Sequence, residues 1–299
     1  MNNNTLTVNN LEFSYHNNII LKDISFECKT GITALLGNNG AGKTTLMNIL
    51  AGLQQPQKGS ISFNNKNLLD LNSVKLNDFV YFSLNFEIYP NVTGYDFLSY
   101  VCDLKNLSKS EKKHNIEYVI DKFNLNSVIK STFNKYSGGF KRRLGIAQAV
   151  IGNPKLIIID EPSVGLDPEQ RLEFRHYLSS LGEDSITLIS THIIEDVELY
   201  SNNILMLEKG EIIFNGTINE IIKKTTENIS TLVCNSSEIL DIRKDFTILE
   251  ERRIGDNEIK VKIINNDLSL PYNYNKIQEV SLENAYVFIQ KQQKLKRKL

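Results

Sequence analysis

The sequence predicts an α/β protein: a sheet core entered through an antiparallel opening, interrupted by a helical insertion and followed by a small α+β appendage. Three observations point there. The apolar run 32–36 meets the glycine-rich stretch Gly37-Asn38-Asn39-Gly40-Ala41-Gly42-Lys43-Thr44-Thr45, which leads into Leu46, Met47, Ile49 and Leu50, so the pattern reads strand, loop, helix. The run 156–159 is apolar without a polar face, as a parallel strand covered on both sides should be, and 186–189 repeats the arrangement around Thr187. Beyond Gly216 the composition shifts towards Asn, Lys and Glu, and the apolar runs shorten.

The 299 residues exceed the roughly 250 that one hydrophobic core usually serves, so two unequal domains are expected, 1–216 and 217–299. Lys plus Arg number 34 against 35 Asp plus Glu, a net charge of −1, and this balance gives no basic field for a nucleic-acid partner. Cys28, Cys102 and Cys234 are far apart and lack metal-ligand spacing, as free buried thiols in a reducing compartment would be. Nothing at the N-terminus reads as a signal peptide, and no apolar run approaches the ~18 residues of a membrane span, so a soluble cytoplasmic protein is expected.

Residues 5–15 alternate, with Leu6, Val8, Leu11, Phe13 and Tyr15 among polar neighbours, and 19–26 gives a second short strand. Tyr15 closes the first pattern, where its ring could either stack on a purine or pack at the strand end. Gly52 and Pro56 end the helix after the loop, an edge-like strand follows at 59–63, and another begins at Phe79. About 93–153 forms the helical insertion, its last helix opening at Tyr136-Ser137-Gly138-Gly139-Phe140 with the stripe Phe140, Leu144, Ala147 and Ile151. Ser137 is the expected cap. Leu172, Phe174, Tyr177, Leu178 and Leu181 can line a helix between the two buried strands. In the appendage short strands are expected near 230–233, 246–249 and 260–264, then a helix. Its basic end (Lys291, Lys294, Lys296, Arg297, Lys298) is either a solvated helix terminus or a weak attraction to an anionic membrane surface.

The chemistry follows from the loop outward. Gly37, Gly40 and Gly42 allow backbone angles that turn successive N–H groups onto a phosphate at a helix N-terminus, with Asn38, Asn39 and Ala41 completing the cradle. Lys43 adds a point charge for the β- and γ-phosphates, the Thr44 hydroxyl suits Mg²⁺, and Thr45 suits the α-phosphate. Asp160, delivered at the end of its strand, is placed to hold Mg²⁺ through water, and Glu161 beside it to polarise an attacking water. His192, at the end of the next run, either reaches the γ-phosphate or caps and packs. Ser137-Gly138-Gly139 offers a second anion-binding helix start.

In this order, the phosphate loop, the 136–140 signature, Asp160-Glu161, Gly165-Leu166-Asp167-Pro168 and Ser190-Thr191-His192 resemble the ATP-binding cassette (ABC) transporter ATPases over residues 5 to about 216. The resemblance implies the P-loop NTPase fold of that cassette, with a mixed sheet core. It also implies that Tyr15 stacks on adenine and that His192 senses the γ-phosphate. By the same resemblance, Ser137, Gly138 and Gly139 bind ATP held by the phosphate loop of a second subunit, with Asp167 at the subunit contact. A head-to-tail dimer holding two MgATP is thereby implied. Tyr89-Pro90-Asn91-Val92-Thr93, Leu144-Gly145-Ile146-Ala147-Gln148-Ala149 and Thr191-His192-Ile193-Ile194-Glu195-Asp196-Val197 look like the ATPase subunits of bacterial ABC-2-type exporters. More loosely, Ser281-Leu282-Glu283-Asn284-Ala285-Tyr286 is similar to their ending.

The chain departs from that family at Leu84, where a glutamine normally contacts Mg²⁺ and water, at Ser83, where a proline precedes it, and at Tyr136, the signature's usual leucine. Leu84 has no oxygen or nitrogen for that task. Slow basal hydrolysis is therefore implied unless Asn85 takes its place. The expected function is an ATPase subunit, peripheral to the cytoplasmic face of the membrane, that drives a separate transmembrane permease, with a second copy or a paralogue completing the dimer. The rival is a permease-independent regulatory or nucleic-acid-associated ATPase.

Overall fold

The computed structural model describes residues 4–70, 76–83, 86–181, 183–265, 274–276 and 280–297. The chain divides into two compact units, Met1–Ile212 and Ile213–Leu299.

The first unit opens with β1 (Thr5–Tyr15) and β2 (Asn18–Lys29), followed by β3 (Gly31–Leu36), α1 (Lys43–Leu50), β4 (Lys58–Phe63), β5 (Lys66–Asn67) and β6 (Phe79–Ser83). Then come α2 (Gly94–Leu104), α3 (Lys109–Lys122), α4 (Gly138–Val150), β7 (Leu156–Asp160), α5 (Pro168–Ser179), β8 (Ile186–Thr191), α6 (Ile194–Tyr200) and β9 (Asn203–Glu208). An antiparallel sheet runs β2-β1-β4-β5. A second sheet contains the run β9-β3-β8-β7-β6, in which every pair is parallel.

The uninterrupted apolar character of β7 has a direct packing cause. Leu156 and Ile158 join Leu46, Met47, Ile49 and Leu50 of α1 and the inward face of the antiparallel sheet in one buried cluster. Ile157 and Ile159 point the other way, into a cluster with Leu98, Val101, Leu144 and Ala147 of the insertion. Period-two alternation with both faces covered leaves no polar position. β6 begins at Phe79 as expected and pairs with β7 at an edge of the parallel sheet. Two readings change. Leu172 turns outward at 53% exposure while Phe174 and Leu178 carry the buried side of α5, and Ile151 lies beyond the last turn of α4 although it is fully buried.

The insertion helices start on side-chain caps. Thr93 accepts from Asp96 N, Ser108 and Glu111 form a reciprocal capping box, and Ser137 accepts from Phe140 N. All three cysteines are free and buried, and burial pushes the Cys28 thiol up to about 12. Among the described residues no helix is long and apolar enough to cross a membrane.

Lys105, just past α2, is a buried cation whose Nζ donates to Ile151 O at 2.5 Å. Burial pushes its pKa down from 10.5 to about 8. Between those two values the unfolded chain holds a proton that the folded chain has released, so this group adds stability as pH rises through that window. The denaturation free energy of wild type minus that of Lys105→Met should therefore increase from pH 7.5 to 10. A flat difference in urea titrations would show that the ammonium is not penalised.

β10 (Glu211–Thr217) carries the chain into the second unit, which comprises α7 (Ile218–Thr226), β11 (Ile229–Asn235), α8 (Ile239–Asp245), β12 (Thr247–Arg253), β13 (Glu258–Ile264), β14 (Tyr274–Lys276) and α9 (Leu282–Lys296). Its antiparallel sheet is ordered β12-β13-β11-β14. Leu232, Cys234, Ile239, Ile242, Ile259, Val261 and Ile263 form its own core, and α9 packs on α7 and β12.

Candidate functional site

The site lies where parallel strands deliver their carboxyl ends side by side. Leu36 of β3 is level with Thr191 of β8, and Asp160 of β7 with Ser190. Ligands of open parallel sheets bind at such strand ends. Gly37 leaves β3 so close to β9 that a Cβ there would sit 2.4 Å from Leu207 O. Gly42 caps α1 at φ 108°, a left-handed angle that strains any side chain. The first hydrogen bond of the helix runs from Leu46 N to Gly42 O, so the amides of Lys43, Thr44 and Thr45 precede its ladder. Gly37→Ala should cost about 1–3 kcal/mol of stability because a backbone oxygen cannot yield, and should weaken nucleotide binding at least tenfold. Thermal unfolding with titration of a fluorescent ATP analogue measures both, and wild-type values would contradict the packing.

The loop and helix start form one wall of a cavity of about 410 Å³, through Asn39, Gly40, Gly42, Lys43, Thr44 and Thr45. Glu161, Val164, His192 and Ile20 complete its lining. The Lys43 side chain is 5% exposed, and its Nζ donates to Gly37 O at 2.7 Å and Asn38 O at 3.3 Å. The same ammonium lies 3.0 Å from Glu161 Oε1, while Glu161 Oε2 is 2.9 Å from His192 Nδ1. One carboxylate thus bridges the buried lysine and the histidine of the next strand. Glu161 has φ 48°, unusual for a residue with a side chain, and its amide donates to Ser190 Oγ at 2.9 Å and Ser190 O at 3.2 Å. The Ser190 hydroxyl in turn donates to Asp160 Oδ1, and Asp160 is buried.

Other expected site residues stand apart from this cavity. Ser137 caps α4, and a Cβ on Gly138 would meet nothing within 4 Å, so that helix start presents an open face. Asp167 caps α5, accepting from Gln170 N at 2.8 Å. Neither segment lines the Lys43 cavity. Tyr15 is 44% exposed, edge-on to Phe13 at 4.9 Å, with its phenol oxygen accepting from Gln54 Nε2, and it too is outside the lining. Leu84 and Asn85 lie outside the described residues.

The profile of the ABC transporter family matches residues 21–164. The lantibiotic transport ATP-binding protein SrtF of Streptococcus pyogenes is 34% identical over 210 residues, 70% of this chain and 89% of that protein. This chain belongs to the ABC transporter ATP-binding proteins. The spermidine/putrescine import ATP-binding protein PotA of Mycoplasma mycoides is 30% identical over 279 residues, covering 88% of this chain and 79% of its own. The solved structure of the ATP binding subunit of an ABC transporter is 29% identical with a TM-score of 0.66, covering 73% of this chain and 92% of that one.

As an ABC ATPase, the chain binds and hydrolyses ATP. Sequence reasoning brought Lys43, Glu161 and His192 to one place, and the cavity contains all three. It missed Ser190, whose hydroxyl and carbonyl serve both acidic residues, although Ser190 was visible as the residue opening Ser190-Thr191-His192. It also missed Ile20 and Val164 in the cavity wall, where nothing in their local pattern marks them.

Proposed function

We propose that the chain is the ATPase subunit of an exporter, working as a head-to-tail dimer beside the membrane and driving a separate permease. The observation that carries the reading is the division of the nucleotide machinery. The Lys43 cavity contains the phosphate loop, Glu161 and His192, whereas the open helix start at Ser137–Gly139 is not part of it. A second copy turned head to tail supplies that helix start to the first copy's ATP. Each ATP then touches both subunits, closing the dimer until loss of the γ-phosphate weakens the contact.

Within each site Lys43 and the loop amides hold the β- and γ-phosphates, Thr45 the α-phosphate and Tyr15 the adenine. His192 contacts the γ-phosphate. Glu161 leaves its pairing with Lys43 as the phosphates arrive and accepts the proton of the attacking water. Mg²⁺ fits the donors present. Thr44 is exposed on the cavity wall and its hydroxyl would hold the ion, while Asp160, buried behind that wall with Oδ1 held by Ser190, would hold it through water. When bound, the ion neutralises charge on the β- and γ-phosphates.

Export is favoured by the 89–93, 144–149 and 191–197 stretches, which resemble those of ABC-2-type exporter subunits; the import role in PotA's name is the competing direction, and SrtF's name gives transport without one. The experiment is affinity isolation of the tagged chain from detergent-solubilised membranes of its host. A polytopic membrane protein should co-purify. ATP-driven accumulation of its cargo in inside-out vesicles marks export, and accumulation in right-side-out vesicles marks import. Recovery with nucleic acid and without a membrane partner would favour the rival reading.

A further inference from the structure

We infer that Ser163 and Asp196 are positioning residues for Glu161, forming with Arg175 a buried tie that holds the loop after β7 in its catalytic shape. The inference rests on the assignment of Glu161 as the general base. Ser163 is two residues beyond Glu161 and 2% exposed, and its hydroxyl donates to Asp196 Oδ2. Asp196 is fully buried on α6, four residues beyond His192. Its Oδ1 accepts from Arg175 Nε at 2.8 Å and lies 2.6 Å from the second guanidinium nitrogen. Arg175 belongs to α5, the helix that Asp167 caps. Three segments bearing proposed site residues are thus joined at one carboxylate.

The tie answers a mechanical need. A non-glycine residue at φ 48° persists only when its surroundings over-determine it. On its N-terminal side Glu161 is fixed by Ser190 through the amide. On its C-terminal side the loop closes on itself, Val164 N donating to Glu161 O at 3.4 Å and Leu166 N to Ser163 O at 3.3 Å. Those bonds set the shape of the turn, and the Ser163–Asp196 bond anchors it to the rest of the unit. Arg142 adds a second anchor by donating to Val164 O. Asp196 serves well because it is itself immobilised: a buried carboxylate with a forked guanidinium partner has little freedom to rotate. Tyr200, one turn further along α6, covers the same region. Burial first, then the charges of Asp196 and Glu161, hold its phenol well above its ordinary pKa, so it stays neutral there.

Ser163→Ala removes the anchor and little volume, leaving the Arg175–Asp196 pair in place. Its kcat for ATP hydrolysis should fall about tenfold with KM within twofold of wild type, since the phosphate loop is untouched. A merely structural role would lower activity by the same factor in any background, so the deciding measurement is the double variant. In single-turnover assays Glu161→Gln with Ser163→Ala should hydrolyse ATP within twofold of Glu161→Gln alone, because residues acting through one group are non-additive. Asp196→Asn, which keeps the shape but leaves one acceptor oxygen for the two donors Ser163 and Arg175, should lower kcat at least as much as Ser163→Ala. A further tenfold drop in the double variant overturns the positioning role, as does a Ser163→Ala enzyme with unchanged kcat beside a slow Glu161→Gln. If Glu161→Gln itself turns over normally, the assignment of the base fails and this inference fails with it.

Discussion

Glu161→Gln is expected to bind MgATP and hydrolyse it about 10²–10⁴-fold more slowly than wild type, the usual loss when a general base is removed. The structure adds a reason for binding to survive. The Glu161 carboxylate lies 3.0 Å from Lys43 Nζ and thereby competes with phosphate oxygens for the same ammonium. Glutamine keeps the shape but gives up the charge, so the competition weakens while the base that takes the water's proton is lost. ATP affinity should be equal to or higher than that of wild type, and the ATP-bound dimer should accumulate. Equilibrium binding, light scattering and steady-state hydrolysis on one preparation measure the three effects. Near-normal turnover would refute the assignment. His192 provides the control, because its Nδ1 contacts the other oxygen of the same carboxylate at 2.9 Å. His192→Ala should slow hydrolysis as well, yet retain the Lys43–Glu161 pair and hence show no gain in ATP affinity.

How far this site was legible in the sequence depends on how local each signal is. The phosphate loop was plain because strand, glycines, lysine and helix are contiguous, and the close approach of Gly37 to Leu207 O gives one of those glycines its structural reason. Asp160 and Glu161 were found because a strand with both faces buried stops abruptly at two acids. The pairing of Lys43 with Glu161 was not visible, since it depends on β3 and β7 both flanking β8, a matter of strand order that no single stretch encodes. Ser163 and Asp196 were missed for the same reason: a serine in a loop and an aspartate in the first turn of a helix look like ordinary polar residues until the fold buries them against one another. The strand at Phe79 was recognised, but its membership of the parallel sheet is set by its contact with β7, which its own stretch does not encode. Leu172 was read as part of an apolar stripe, and only the burial of Phe174 and Leu178 shows which side of α5 faces the core.

The proposed division of the site between two subunits leads to the second large effect. If Ser137 of one chain meets the ATP held by the phosphate loop of another, a cysteine at each place should join the chains only when they are mixed and nucleotide is present. The three native cysteines are all buried, so the introduced thiols are the reactive ones. Asn39 is exposed on the phosphate loop and Ser137 on the rim of its open helix start, so neither substitution disturbs a core. Replacing Ser137 costs a helix cap, about 1 kcal/mol, which a folded unit of this size should tolerate. With Glu161→Gln in both chains to hold the closed state, an Asn39→Cys chain mixed with a Ser137→Cys chain should go from almost no cross-linked dimer without nucleotide to the major species with MgATP and a short bifunctional maleimide. Each singly substituted chain alone should stay monomeric on a denaturing gel. Dimers formed by Asn39→Cys with itself would indicate a head-to-head arrangement. A doubly substituted chain that cross-links internally and keeps monomer size would place both groups on the ATP of one subunit. Either result would remove the physical basis for a dimer closed by shared nucleotide, because the ATP would then no longer bridge the loop of one chain and the helix start of the other.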